Sequence, residues 1–166
     1  MFKDALTEHI AEFLKEIGLE IEPRSLDHET FLPGILIENG QIFVDEEKLA
    51  FPGDLLHEAG HLAVVPGKAR RRLSDKVELP GFAPDTIEAA AIAWSYASVL
   101  HLEIDPQIVF HKAGYKGNSE SLLQNFNLGV YIGVNELEDA KMALTGENAL
   151  IANISAYPKM IKWVRD

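Results

Sequence analysis

The chain has 166 residues, 47% of them hydrophobic, enough for one domain with a buried core. Fifteen basic residues against 26 acidic ones leave a formal charge of −11, which repels phosphate backbones and anionic lipid and speaks against nucleic-acid or membrane-surface partners. With no cysteine, disulfides, thiolate metal sites and cysteine nucleophiles are excluded, so any metal must be held by His, Asp or Glu.

Met1-Phe2-Lys3-Asp4-Ala5 lacks the apolar run of a signal peptide, and no stretch approaches about 18 uninterrupted apolar residues, so the expected location is the cytoplasm. Phe2, Leu6, Ile10, Phe13, Leu14 and Ile17 recur at helical spacing and predict a first helix over residues 2–17, stopped at Gly18. Leu19-Glu20-Ile21-Glu22 alternates with period two. Gly34-Ile35-Leu36-Ile37-Glu38 and Gln41-Ile42-Phe43-Val44-Asp45 flank Asn39-Gly40, a strong hairpin signal because both turn residues need positive φ. These segments predict a small, mainly antiparallel sheet.

A second helix is expected over residues 55–65, with Asp54 as N-cap and Pro66-Gly67 as its stop. Residues 68–83 read as a loop, and residues 85–102 as an Ala-rich helix able to approach a neighbour closely. Further on, Asn118 is a candidate cap for a helix through Phe126 and Asn135 with Glu138 resembles a capping box. Gly146 is a candidate end for that helix, and Pro158 a candidate start for the last one. One domain over residues 1–166 is expected, since no repeat or composition break divides the chain.

The chemistry concentrates in His57-Glu58-Ala59-Gly60-His61. Residues four apart on a helix project from one face, so His57 and His61 can aim at one ion with Glu58 beside it. The segment is apolar on both sides, and burying two imidazoles and a carboxylate costs several kcal/mol unless they are paired or ligated. Gly60, about 1 kcal/mol worse than Ala inside a helix, signals a close approach to the backbone. A catalytic zinc takes three protein ligands and leaves one position open. Glu88 is the candidate third ligand, with Asp85 in reserve, and Glu58 the candidate general base. Asp85 and Glu88 also match an Asp-x-x-Glu capping box, which competes for the same carboxylate.

The order of hairpin, Leu55-Leu56-His57-Glu58-Ala59-Gly60-His61-Leu62-Ala63 helix, loop, and helix opening with Glu88-Ala89-Ala90-Ala91-Ile92-Ala93 resembles the minimal gluzincin core. It is most similar to the small intracellular zincins of the ImmA/IrrE type. The likeness covers roughly residues 30–100. It implies an α+β, zincin-like fold and a zinc metallopeptidase with His57, His61 and Glu88 as metal ligands and Glu58 as general base, acting on an intracellular protein or peptide. Ser95-Tyr96-Ala97-Ser98 departs from the aliphatic run usual in that group, and no helix-turn-helix is evident.

Two readings stand beside the enzyme. One is a binding or regulatory protein whose zinc is structural, closed by a fourth ligand such as His101 or His111. The other is an accidental motif without metal. Peptide hydrolysis also calls for a donor to the developing oxyanion, for which His111, Tyr115 and Tyr131 are candidates, though each also fits an ordinary loop or core-edge role. His101 suits an interaction at a helix C-terminus, and His9 and His28 the surface. Arg70-Arg71-Arg72, with Lys68 and Lys76, reads as a solvated loop.

Overall fold

The computed structural model describes residues 1–75 and 79–166, so Lys76 lies outside the described residues. Helix α1 (Ala5–Glu16) starts at Asp4, whose carboxylate accepts the Thr7 N–H and hydroxyl, each at 2.8 Å. This cap sets the start three residues inside the predicted one. The helix buries Ile10, Ala11, Phe13 and Leu14.

Strands β1 (Glu20–Pro23), β2 (Ile35–Glu38) and β3 (Gln41–Val44) form one sheet in the order β1-β3-β2. The hairpin at Asn39-Gly40 pairs β2 and β3 antiparallel, as expected. The expectation of an antiparallel-rich sheet is corrected, because β1 runs parallel to β3, from Glu20 opposite Gln41 to Pro23 opposite Val44. The reason lies in residues 24–34, which pass over the end of β3 and put β1 and β2 on its two sides. Arg24 N–H donates to Val44 O at 2.8 Å, Leu26 N–H to Asp45 Oδ2 at 2.9 Å and Asp45 N–H to Gly34 O at 2.8 Å. Period-two alternation marks a strand but carries no information about which edge of a neighbour it takes.

Helix α2 (Asp54–Val64) carries the histidine motif, α3 (Gly67–Arg70) is a single turn within the predicted loop, and α4 (Pro84–His101) is the second long helix. Every residue of α4 from Ala90 to Val99 is buried, so this helix is enclosed on all sides. It crosses α2 at Gly60, where a Cβ would stand 3.0 Å from Ala91 O and 3.2 Å from Ala91 Cβ. The close approach signalled by that glycine is therefore Ala91. Ser95 Oγ donates to Ala91 O at 2.6 Å and reaches Leu56 O at 3.3 Å, adding a polar tie at the crossing.

Arg70 departs from the solvated-loop reading. Its guanidinium donates to Leu62 O at 2.7 Å, Val65 O at 3.1 Å and Arg165 O at 2.6 Å, satisfying carbonyls at the end of α2 and holding the C-terminal segment. Arg71 and Arg72 are exposed.

Beyond α4 come two short 3₁₀ turns (Pro106–Ile108 and Tyr115–Gly117), then α5 (Ser119–Asn127), α6 (Val134–Asp139) and α7 (Gly146–Ala152). Asn118 precedes α5 but makes no capping bond with its side chain. Asn135 lies inside α6, and Glu138 accepts from Thr145 N–H at 3.0 Å and Asn148 Nδ2 at 2.9 Å, so its carboxylate serves the start of α7 instead. Gly146 opens a helix where it was expected to end one, and no helix begins at Pro158. The terminal segment is held by tertiary bonds, Trp94 Nε1 to Trp163 O at 2.7 Å and Tyr157 Oη to Ala93 O at 2.8 Å. Among the described residues no helix is long and apolar enough to cross a membrane.

Asp45, 6% exposed, is the buried charge that holds the crossover, and the Leu26 N–H keeps its pKa below the ordinary value of 3.8. Asp45→Ala is expected to lower stability near neutral pH, because it strands the Leu26 N–H. A depressed folded pKa contributes stability that is complete above 3.8 and lost as pH falls through the folded value. Denaturant titrations of both proteins should thus converge on acidification, and a gap independent of pH would contradict this role.

Candidate metal centre

On α2, one turn separates His57 from His61, and both turn Nε2 toward the start of α4. Their Nε2 atoms are 3.2 Å apart, with ring planes at 88°. Glu88 Oε2 stands 3.1 Å from His61 Nε2 and 3.7 Å from His57 Nε2. Ligands about 2.0–2.1 Å from a tetrahedral ion stand about 3.3 Å from one another, so these separations are those of three corners around one cation. Two facing imidazole nitrogens can share only one proton between them, whereas one cation satisfies both lone pairs and the carboxylate together. His57, His61 and Glu88 thus form a group that can bind a metal ion, all three partly buried.

Glu88 is free for this role because of how α4 begins. Pro84 is its first residue and Ala83 its N-cap, so Asp85 lies inside the helix and the Asp-x-x-Glu capping box is not made. Asp85 is exposed and stands outside the ligand group. Gly133 packs on the same turn of α4, where a Cβ would stand 1.8 Å from Ala89 O.

Burial pushes His57 down to about 4, with the charge of His61 adding to it and Glu88 opposing. Burial also lowers His61, but the Glu88 hydrogen bond and the charges of Glu58 and Glu88 outweigh it and leave its pKa raised. Glu88 is lowered, first by its hydrogen bond with His61. Burial pushes Glu58 up to about 7, His61 pulls it down, and the charges of Asp75, Asp54 and Glu88 add to the rise. A bound cation would favour the ionised form of Glu58.

Glu58 lines a small cleft of about 80 Å³ with Phe31, Leu32, Ile35 and Asp75. Asp75 reaches it from the outer edge of β2. Its Oδ1 accepts the Ile37 N–H at 2.8 Å and its own N–H donates to Ile37 O at 3.2 Å. Sequence reasoning missed this residue, since nothing local in the 68–83 segment marks a strand-edge contact.

The other singled-out side chains separate clearly. Tyr115 comes to the site, its Oη 3.2 Å from His57 Nδ1, the nitrogen turned away from the ligand group. It therefore stands behind His57 and does not face an open coordination position as an oxyanion donor would. His111 Nε2 pairs with Asp54 Oδ1 at 2.8 Å, and its ring stacks on Phe51 at 3.9 Å. Asp54 is the first residue of α2 and makes this pair; Gly53 is the N-cap, which corrects the capping assignment. Tyr131 belongs to an aromatic cluster with Tyr96, Phe126 and Tyr157. His101 packs against Phe13 and Trp163, and His9 and His28 are exposed. No family model matches the sequence, and no curated protein or solved structure matches the chain.

A ligand that binds only the folded chain must stabilise it by mass action. A divalent ion such as zinc or cobalt, at about one hundred times its Kd, is expected to stabilise the protein by about 2.7 kcal/mol in thermal or chemical denaturation. The gain should vanish in His57→Ala and Glu88→Ala. A wild-type melting curve indifferent to metal would reject the site.

Proposed function

We propose that the protein is a zinc-dependent peptide hydrolase acting on a cytoplasmic protein or peptide. The observation that carries this reading is a three-ligand group, one of whose side chains is partly exposed, with the carboxyl of Glu58 within electrostatic reach of it. His57, His61 and Glu88 converge, the Glu88 side chain is 45% exposed, and Glu58 lies beside them on the cleft. Among the described residues no fourth His, Asp or Glu joins the group. His101 and His111, which a closed structural site would recruit, are engaged elsewhere. Zinc is favoured over softer or harder ions by the donor set of two imidazoles and one carboxylate.

Bound zinc would supply a Lewis acid and a water acidified toward neutral pH. His57, His61 and Glu88 are its holders. Glu58 would accept a proton from water beside the ligand group and return it to the departing amine nitrogen, so that water and a peptide bond become an acid and an amine. Phe31, Leu32 and Ile35 provide an apolar wall on which a substrate chain can rest. The order of hairpin, motif helix and ligand helix supports placing the chain with the zincins, and the ImmA/IrrE-like group within them.

A peptide library incubated with zinc-loaded protein, read by mass spectrometry for new termini, tests the activity directly. Glu58→Gln should retain metal while cleavage falls by about 10²–10⁴-fold, the usual weight of a general base. Full turnover in that variant would remove Glu58 from its role, and no cleavage by the zinc-loaded wild type would remove the enzyme.

A further inference from the structure

We propose that Tyr115 is a positioning residue of the metal site: its phenol oxygen accepts the Nδ1 proton of His57 and so holds Nε2 as the metal-binding nitrogen. The inference rests on the metal-binding reading above and deepens it. A neutral imidazole carries one proton, and the hydrogen bond at one nitrogen decides which nitrogen is left to bind an ion. His57 Nε2 faces His61 and Glu88, so for His57 to serve as a ligand its proton must sit on Nδ1. Tyr115 Oη, at 3.2 Å, is the acceptor placed there, with the two rings edge to face at 82°.

The backbone around Tyr115 supports the assignment independently. Tyr115 and Lys116 both have left-handed φ, 52° and 53°, an arrangement that non-glycine residues rarely adopt even singly. Two strained residues in succession persist only where their surroundings over-determine them, and such residues gather at functional sites. Here the turn is bound at every step. Gly114 N–H donates to His111 O, Gly117 N–H to Gly114 O and Asn118 N–H to Tyr115 O, each at 3.0 Å. The buried hydroxyl of Ser119 donates to His111 O at 2.7 Å and reaches Gly114 O at 3.3 Å. Phe110 stacks on the Tyr115 ring at 5.1 Å and fixes its plane. An ordinary type I turn would avoid the strain; this one delivers a phenol oxygen to the back of a metal ligand.

The competing assignments fail on placement. Tyr115 meets the nitrogen remote from the ligand group, so it does not point at a substrate carbonyl in the open position. Asp54, one turn before His57 on the same helix, is already paired with His111.

The test compares full-length wild type with Tyr115→Phe, which keeps the ring on Phe110 and removes only the oxygen. Zinc affinity is read by competition with a chromophoric chelator, and metal-free melting temperature in parallel. Loss of such an outer partner typically weakens metal binding by about 10–100-fold, and that is the expected result even where the stranded His57 Nδ1 proton lowers the metal-free melting temperature. Wild-type affinity in Tyr115→Phe, while His57→Ala loses zinc, would overturn the positioning role and leave the metal site standing. A wild type that binds no zinc would overturn both. Nitrogen-15 spectra of the zinc-loaded wild type provide a check that needs no variant: His57 should carry its proton on Nδ1, and a proton on Nε2 would overturn the proposal.

Discussion

The crossing of α2 over α4 at Gly60 and Ala91 is the contact on which the candidate site depends. Two helices normally pack with axes about 8–10 Å apart, set by the side chains between them. Here the contact is made by Gly60 against Ala91, with a Cβ at Gly60 already tight against the Ala91 backbone and Cβ. Small residues bring the backbones together, and this closeness lets the Glu88 carboxylate reach two histidines on the facing helix. The Ser95 hydroxyl near Leu56 O fixes the same crossing with a polar contact in an otherwise apolar interface.

Around that crossing the rest of the chain acts as support. The sheet, α1 and α2 share one core, in which Ile21, Ile35, Ile37 and Ile42 are buried. Arg70 satisfies carbonyls at the C-terminal end of α2 and ties down the terminal segment, while the Asp54 and His111 pair anchors its N-terminal end. The helix that carries His57 and His61 is thus held at both ends by part-buried polar contacts, which favours a preformed candidate site. The strained turn at Tyr115 then brings its phenol oxygen to Nδ1 of His57, on the far side of the ring from His61 and Glu88.

The same arrangement gives the site its charge. The charges of Asp75, Asp54 and Glu88 all act on Glu58, and burial raises the cost of ionising it. Such a concentration of negative charge in a partly dry place is unfavourable alone and is relieved by a cation. The acidic net charge of the chain, which spoke against nucleic acid, is in this respect continuous with the chemistry of the cleft.

The pairing of His57 and His61 was legible from spacing, because helical geometry alone puts them on one face, and Gly60 announced the neighbour that later proved to be Ala91. The choice of Glu88 over Asp85 was half legible: Pro84 at the first helical position implies a cap at Ala83, a signal that outweighs the Asp-x-x-Glu pattern. Tyr115 was named only as one of three candidate oxyanion donors, and neither its place behind His57 nor Asp75 was legible, since they reach His57 and β2 across 58 and 38 positions of chain through backbone turns that no local pattern specifies. Nor was the parallel placement of β1, which depends on a crossover pinned by the Asp45 carboxylate and the Leu26 N–H. Local periodicity, turn chemistry and helical spacing determined the elements and the chemical types at the site. Which edge a strand takes, which carboxylate meets the histidines and which hydroxyl stands behind them were decided by long-range packing and hydrogen bonding, whose partners a one-dimensional pattern does not record.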